Sequence, residues 1–410
     1  MNDTRSWTVP AHVPPELVVD FDLFEVPAGM KDPIDKWRSL ADAGVPKIFW
    51  SPRNGGHWTF LEYEDIREGY KNFQSFSNRH TPIPPVDNWP VFQPQSADPP
   101  DHAKFRNLLA PMFTPAAIKK LENEVQRRAR DLIDRFADDG HCDFVAQFSA
   151  QMPTGMFIHL MGMDEARIPE FLGLADTFMR VQDAAGKARN VADIYAVLED
   201  YFAGKRQQPP ADDIASALLG ARDAEGQPFP HEEIINCAFL LFLAGLDTVT
   251  STMTYIWRYL ATAPEARRHI RDSLDAPDRL ARAMDELFRI NSVSVIYRRV
   301  NRDLDYKGVP MRENDKLVLP NNMANRDPAV FENPTVIDLD RKVNTHVTFG
   351  LGVHRCLGQH LAKTEVAMSL REWLPRIEDF SLAPDADIEI FAGPVMGMRS
   401  LPLVWNPAGK

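Results

Sequence analysis

The sequence predicts a mainly α-helical fold with a small β part, and three observations support that prediction. Apolar residues recur at spacings of three, four and seven through several long stretches, which is typical of half-buried helices. Alternating, strand-like stretches are few and short. The chain has 410 residues, 44% of them hydrophobic, so it can bury one large core or two moderate ones.

The helices are predicted from apolar spacing and from end signals. Thr114 and Pro115 supply a cap and a first-turn proline for a helix that extends to about residue 136. A longer, more apolar helix over residues 234–257 is expected to run through the middle of the fold. Residues 280–290 and 357–374 also show helical spacing.

The β part is predicted from short segments around turns. Residues 47–50 and 57–63 flank a turn at residues 53–56, which predicts a hairpin. Residues 304–311 and 316–320 suggest further short hairpins, so β-rich parts are expected around residues 45–62 and 295–320. Residues 82–100 contain seven prolines and are predicted to form an irregular loop.

Composition argues against several classes of protein. The formal net charge of −12 and the lack of a Lys/Arg run argue against a nucleic-acid partner. The N-terminal residues lack the basic start and apolar stretch of a secretory signal. The longest uncharged apolar run, residues 236–246, is far short of the roughly 20 residues that a membrane span needs. Three widely spaced cysteines indicate a reduced, cytoplasmic protein rather than a disulfide framework.

The most informative stretch is FGLGVHRCLG at residues 349–358, for which several interpretations compete. A dinucleotide fingerprint fails because Arg355 stands where the last glycine is needed. A zinc site fails because His354 and Cys356 have no second ligand pair. A buried, inert cysteine beside a turn is the ordinary alternative. A thiolate just before a helix beginning at Leu357, in a glycine-rich loop that a flat ligand can approach, points instead to a heme iron.

With these residues the chain resembles the cytochromes P450, the heme-thiolate monooxygenases, and most closely the camphor 5-monooxygenase family. Their Phe-x-x-Gly-x-His/Arg-x-Cys-x-Gly loop is matched at Phe349, Gly352, His354, Cys356 and Gly358. The resemblance extends over almost the whole chain. It implies one catalytic domain over residues 1–410, with heme b (iron protoporphyrin IX) between the long central helix and the cysteine-loop helix. It also implies that Cys356 is the iron ligand.

The resemblance assigns further roles by motif. The segment AGLDT at residues 244–248 is similar to the oxygen-binding groove of the family, so Asp247 and Thr248 are expected to relay protons. An Asp in an apolar run also needs a partner or a task, because burying its charge is costly. The remaining roles are contacts of the heme propionates for His102, Arg106, Arg298 and His354, packing beside the sulfur for Phe349, and a structural Glu-x-x-Arg network for Glu286, Arg289 and Arg341.

The expected pocket is apolar, which suits a bulky hydrocarbon. Where the camphor family presents a tyrosine hydroxyl to a substrate ketone, this chain has Trp89 and Phe92. We expect hydroxylation of a small hydrophobic cyclic substrate, a terpenoid or norisoprenoid of camphor-like size, using O2 and two electrons. The predicted pocket residues are Trp89, Phe92, Leu240, Leu243, Ala244, Ser294, Val295 and Val395.

The chain has no CxxC cluster motif and no flavin segment, so electrons are expected from a separate [2Fe-2S] ferredoxin with an NADH-dependent ferredoxin reductase. Two alternatives remain at this stage. One is a heme-thiolate binding or sensor protein, or an isomerase, without monooxygenase activity. The other is a helical interaction protein with a redox-sensitive thiol. A basic docking patch is predicted from Lys104, Lys342, Arg355 and Lys363.

Overall fold

The structure, a computed structural model, describes residues 8–86, 89–180, 184–223 and 225–407. It is mainly helical with a small β part, as predicted. The helices are α1 (Pro33–Asp42), α2 (Tyr63–Lys71), α3 (Asp101–Leu109), α4 (Pro115–Ile133), α5 (Gln151–Met161), α6 (Ile168–Arg180), α7 (Ala184–Lys205), α8 (Ile214–Gly220), α9 (His231–Thr262), α10 (Pro264–Arg271), α11 (Pro277–Ile290), α12 (Asn321–Ala324) and α13 (Gln359–Trp373).

Short strands complete the secondary structure. They are β1 (Ile48–Ser51), β2 (His57–Phe60), β3 (Phe76–Ser77), β4 (His141–Asp143), β5 (Val295–Val300), β6 (Leu304–Tyr306), β7 (Val309–Met311), β8 (Lys316–Pro320), β9 (Phe380–Leu382), β10 (Ile390–Phe391), β11 (Gly397–Met398) and β12 (Pro402–Trp405).

The chain divides into two compact units. Unit 1 comprises residues 1–89, 285–356 and 390–397, and unit 2 comprises residues 90–284, 357–389 and 398–410. The statement that residues 1–410 make one catalytic domain stays a prediction.

A five-stranded sheet in the order β1-β2-β8-β5-β3 organises unit 1. The predicted hairpin of β1 and β2 is confirmed, with Trp50 opposite Trp58, and so is the hairpin of β6 and β7. The expectation of a hairpin for residues 316–320 is wrong, because β8 inserts between β2 and β5 and runs parallel to β2. Long-range pairing decides that placement, so local spacing could not reveal it.

A buried ionic network also stabilises unit 1. The Glu286 carboxylate accepts hydrogen bonds from Arg289 Nε at 2.7 Å, Arg341 Nε at 3.0 Å and Asn344 Nδ2 at 3.1 Å. Burial alone would raise the pKa of this carboxyl, but hydrogen bonds from Arg289 and the Asp338 N–H, with nearby positive charge, lower it overall. Glu286 and Arg289 are fully buried, so each charge depends on the other.

Replacing Glu286 by Gln is expected to destabilise the protein by about 3–5 kcal/mol, because two guanidinium groups lose their buried counter-charge. Chemical denaturation of the holoenzyme measures the effect. The exposed Glu313→Gln variant is the matched control and is expected to stay within about 0.5 kcal/mol. A Glu286→Gln change below about 1 kcal/mol would show that the network is not needed for stability.

The long helix α9 lies in the core of unit 2. Its Phe242 packs between Phe157 and Phe171, with ring centroids 5.6 and 5.3 Å away. Of the described helices, α9 alone is long and apolar enough to cross a membrane by composition, yet half of its most apolar stretch is buried within the protein. A buried core helix can be equally long and apolar, so we interpret α9 as a core helix.

End signals explain two further helices of unit 2. The Thr114 side chain accepts a hydrogen bond from the Ala117 N–H at 3.2 Å, which confirms the predicted cap of α4. Helix α13 begins at Gln359, two residues later than predicted, with Gly358 as its N-cap residue. Glycine is disfavoured inside a helix but accepted at an N-cap, so the helix begins after Gly358.

Candidate functional site

The cysteine loop, residues 349–356, is held in shape by a backbone hydrogen bond and by glycines. The Cys356 N–H donates to the Phe349 carbonyl at 2.7 Å. Gly350 and Gly352 have φ of +66° and +70°, which side chains rarely adopt. A Cβ on Gly350 would lie 3.1 Å from the Tyr70 ring, and one on Gly352 would lie 3.3 Å from the Tyr70 carbonyl. The loop therefore needs glycine for both its conformation and its close approach to α2.

Tyr70 is a neighbour of the loop that the sequence reasoning missed. Its hydroxyl donates to Asn321 Oδ1 at 2.6 Å, and the Arg298 guanidinium lies 5.2 Å from its ring centroid. Burial raises the pKa of Tyr70 to about 12, so the hydroxyl stays protonated. No motif marks Tyr70, because its contacts are with residues between 228 and 282 positions away in the chain.

Cys356 differs from the other two cysteines in accessibility. Cys142 and Cys237 are buried, and burial strongly raises the pKa of both thiols. Cys356 is only partly buried. Residues 348–364, all of them described, include no fully buried residue. Cys356 is therefore the thiol that a bound group can reach.

Helix α9 has an open segment between residues 240 and 248. Residues 234–239 are all buried, whereas Leu240 and Leu243 are partly exposed and Ala244 is exposed. The Thr248 hydroxyl donates back to the Ala244 carbonyl at 2.9 Å. The helix thus presents apolar side chains and one hydroxyl within two turns.

Asp247 stands in the same open segment. Desolvation raises the pKa of its carboxyl to about 7. Among the described residues, no cation contributes to that shift. A carboxyl with a pKa near neutrality can hold and release a proton at physiological pH, as proton transfer requires.

The four predicted propionate contacts lie on three elements. His102 and Arg106 stand four residues apart on α3 and so share a face. Burial, followed by the charge of Arg106, lowers the pKa of His102, so the imidazole is neutral at pH 7. Arg298 is 3% exposed and lies on β5, while His354 lies in a short 3₁₀ turn of the cysteine loop.

The structure brings some predicted pocket residues together. Ser294 forms a β-bridge with Val395, and the Val295 N–H donates to the Pro394 carbonyl at 2.8 Å. Phe92 stacks on Phe239, a residue that sequence reasoning did not single out. Trp89 is partly buried.

Lys104 is a poor member of the predicted basic patch. Its ammonium lies 2.5 Å from a Glu233 carboxylate oxygen and 4.7 Å from the Phe229 ring centroid. Its charge is therefore already compensated. Lys342 and Arg355 are exposed, and Lys363 is partly buried.

Heme b fits these residues on three observations. Cys356 offers an accessible thiol, and a thiol is an established heme ligand. A Cβ added to Gly245 or Gly358 would meet no other atom within 4 Å, so a flat group can approach the backbone at both positions. Arg106, Arg298 and the two histidines supply donors for carboxylates. Within unit 1, Cys356 is the candidate iron ligand, and Arg298 and His354 are candidate partners of a carboxylate; His102 and Arg106 are the candidates within unit 2.

Comparison with known proteins gives a consistent result. A family model described as Cytochrome P450 matches residues 176–391. The protein named probable cytochrome P450 127A1, from Sinorhizobium fredii, is 34% identical over 409 residues, covering 97% of this chain and 97% of its own. The crystal structures of CYP101J2 and CYP101C1 have TM-scores of 0.87 and 0.86 at 30% and 32% identity. They match 97% of this chain, and 99% and 100% of their own chains.

Proposed function

The chain belongs to the cytochrome P450 family of heme b monooxygenases, and from that premise we propose that it hydroxylates a small cyclic terpenoid or norisoprenoid. The family uses O2, an organic substrate and electron-transfer partners. The balanced reaction takes a C–H bond, O2, two electrons and two protons to an alcohol and water. The observation that carries the proposal is the open segment of α9, where apolar side chains adjoin Asp247 and Thr248.

Each chemical task falls to a named side chain. Heme b, when bound, supplies the redox-active iron at which O2 is reduced. The Cys356 thiolate would hold that iron, and Gly350, Gly352 and Tyr70 shape the loop that contains Cys356. Asp247 holds a proton at its carboxyl and releases it at neutral pH. We propose that the Thr248 hydroxyl, which donates to the Ala244 carbonyl, passes a proton on.

We infer the substrate class from the chemistry of the residues predicted to line the pocket. Leu240, Leu243 and Ala244 are apolar, and so are Val295 and Val395. Apolar side chains exclude water and bind hydrocarbon by its surface. Trp89 and Phe92 stand where a tyrosine orients a ketone in the camphor 5-monooxygenase family, so we infer that this enzyme orients its substrate by shape rather than by that hydrogen bond.

A binding screen followed by turnover tests the proposal. Camphor, cineole, ionones and small aromatics are added to the purified holoenzyme, and the heme spin-state shift is recorded. We expect a tight response to a cyclic terpenoid or norisoprenoid and its NADH-coupled hydroxylation with a ferredoxin and its reductase. Binding without product under those conditions would instead favour a heme-thiolate sensor, and a tight response to camphor alone would contradict the inference about the missing tyrosine.

We propose a [2Fe-2S] ferredoxin, served by an NADH-dependent reductase, as the electron donor, and the cytoplasm as the location. Lys342 and Arg355 are exposed cations in unit 1, and Arg355 directly precedes Cys356. On a chain with a net charge of −12, such local cations attract an acidic partner and speed its association. The three free cysteines suit a reducing compartment.

Reversing the charge of Arg355 to Glu is expected to slow reduction by an acidic ferredoxin about tenfold at low salt, with a smaller effect at high salt. Stopped-flow reduction of the substrate-bound enzyme measures the rate. Arg189→Glu, at an exposed position of α7, is the matched control and should leave the rate unchanged. Equal rates for Arg355→Glu and the parent at low salt would exclude this docking site.

A further inference from the structure

We propose that an aromatic stack of Phe92, Phe239 and Tyr195 closes the far end of the substrate pocket and sets the longest substrate the enzyme accepts. This inference rests on the proposed function, because it assigns a length limit to that same pocket. All three residues lie in unit 2.

The stack is continuous and nearly parallel. The Phe239 ring lies 5.5 Å from the Phe92 ring with 20° between the planes, and 4.8 Å from the Tyr195 ring with 24° between the planes. Offset parallel stacking at these distances is favourable. Phe239 itself is fully buried, so its ring cannot swing into solvent.

Hydrogen bonds fix the Tyr195 side chain and the backbone at Phe92. The Tyr195 hydroxyl donates to Asn236 Oδ1 at 2.7 Å, which ties α7 to α9 one turn from Phe239. The Phe92 N–H donates to Ser96 Oγ at 3.1 Å, and the Ser96 N–H donates back to the Phe92 carbonyl. The stack therefore joins α7, α9 and the loop at Phe92 into one wall.

The wall stands at the end of the open segment of α9. Residues 234–239 are buried and exposure begins at Leu240, directly after Phe239. Phe239, Leu243 and Asp247 follow one another at intervals of four residues and so share a face of the helix. With a rise of 1.5 Å per residue, Phe239 lies about 12 Å along the axis from Asp247.

That spacing sets the expected limit on substrates. A compact bicyclic or monocyclic terpenoid fits within about two helical turns, or about 11 Å. A longer apolar chain extending from the reacting end along α9 meets the stack, in which the partly buried Phe92 and Tyr195 rings flank the fully buried Phe239 ring. Because interiors are close-packed, the ring cannot yield without displacing Phe92 or Tyr195.

A series of 1-alkylimidazoles, from butyl to dodecyl, tests the wall independently of the true substrate. The imidazole nitrogen binds the heme iron and the alkyl chain probes length. Affinity is read from the absorption change of the holoenzyme. We expect affinity in the parent to rise with chain length and then fall at least tenfold beyond a cutoff. In Phe239→Leu the cutoff should move to longer chains, and in Phe239→Ala further still.

Phe242→Leu is the matched control, since Phe242 lies on the same helix but packs on Phe157 and Phe171. It should keep the parent cutoff. The proposal would be overturned if the parent showed no cutoff or if both Phe239 variants kept the parent cutoff. It would also be overturned if Phe242→Leu moved the cutoff as far as the Phe239 variants do. If Phe239→Ala loses its heme, Phe239→Leu alone decides. If the alkylimidazoles show the cutoff but no terpenoid or norisoprenoid shifts the heme spin state, the length limit is supported and the proposed substrate class is rejected.

Discussion

Replacing Cys356 by serine is expected to abolish the strongly red-shifted main band that a thiolate-ligated heme gives when reduced and bound to CO. The thiolate donates electron density to the iron in a way that a serine hydroxyl does not. Monooxygenase activity should fall below detection with it, because the same donation favours O–O cleavage. The optical spectrum of the purified variant, with heme content measured separately, is the readout.

The other cysteines provide the controls for this substitution. Cys142→Ala and Cys237→Ala remove thiols that are buried and whose raised pKa keeps them protonated. Both variants should keep the red-shifted band. A band that survived in Cys356→Ser, or that disappeared in either control while heme was retained, would transfer the ligand role to another residue.

Replacing Asp247 by asparagine is expected to lower turnover about a hundredfold while substrate binding stays nearly unchanged. General acid and base groups contribute about 10²–10⁴-fold to rates. Asparagine has nearly the shape of aspartate but no ionisable carboxyl group. Product formation and oxygen consumption are measured together under NADH-coupled conditions. Asp138→Asn, at an exposed position after α4, should behave as the parent.

The pH dependence gives this prediction a second readout. Because the pKa of Asp247 is about 7, its protonated fraction falls as the pH rises through 7, and proton-dependent turnover should fall with it. The variant should lose that dependence. A carboxyl whose pKa is raised on folding stabilises the fold below its unfolded pKa and loses that contribution as the pH rises toward 7. At pH 7.5 the variant should therefore be at least as stable as the parent, and a large loss of stability would contradict this account.

Features that depend on residues close together in the chain could be predicted from the sequence. The cap of α4 depends on Thr114 and a backbone N–H three residues later, and the turn between β1 and β2 depends on Asn54 and two glycines. The cysteine loop was accessible for a related reason. Gly350 and Gly352, which have positive φ, and Cys356 lie within a few residues of one another. One short motif therefore indicates both the conformation of the loop and its thiol.

Features that depend on distant pairing were not accessible. The parallel pairing of β8 with β2 joins residues more than 250 positions apart. Tyr70 and the cysteine loop are separated by a similar distance in the chain. The Phe239 ring packs between a loop and α7, on Phe92 and Tyr195, which are 147 and 44 positions away. The apolar spacing of α9 predicts that Phe239 lies in a helix. It does not predict the aromatic stack, because that depends on the contacts of Phe239 with Phe92 and Tyr195. Lys104 shows the converse, because its charge is evident in the sequence and its pairing with Glu233 is not.

X-ray absorption at the iron edge of the purified holoenzyme tests the central claim most directly, because it identifies the atoms bonded to the iron. We predict one sulfur bonded to the iron beside the four porphyrin nitrogens, present in the parent and in Cys237→Ala and lost in Cys356→Ser. An iron with only nitrogen and oxygen neighbours in the parent, or a sulfur retained in Cys356→Ser, would contradict the account.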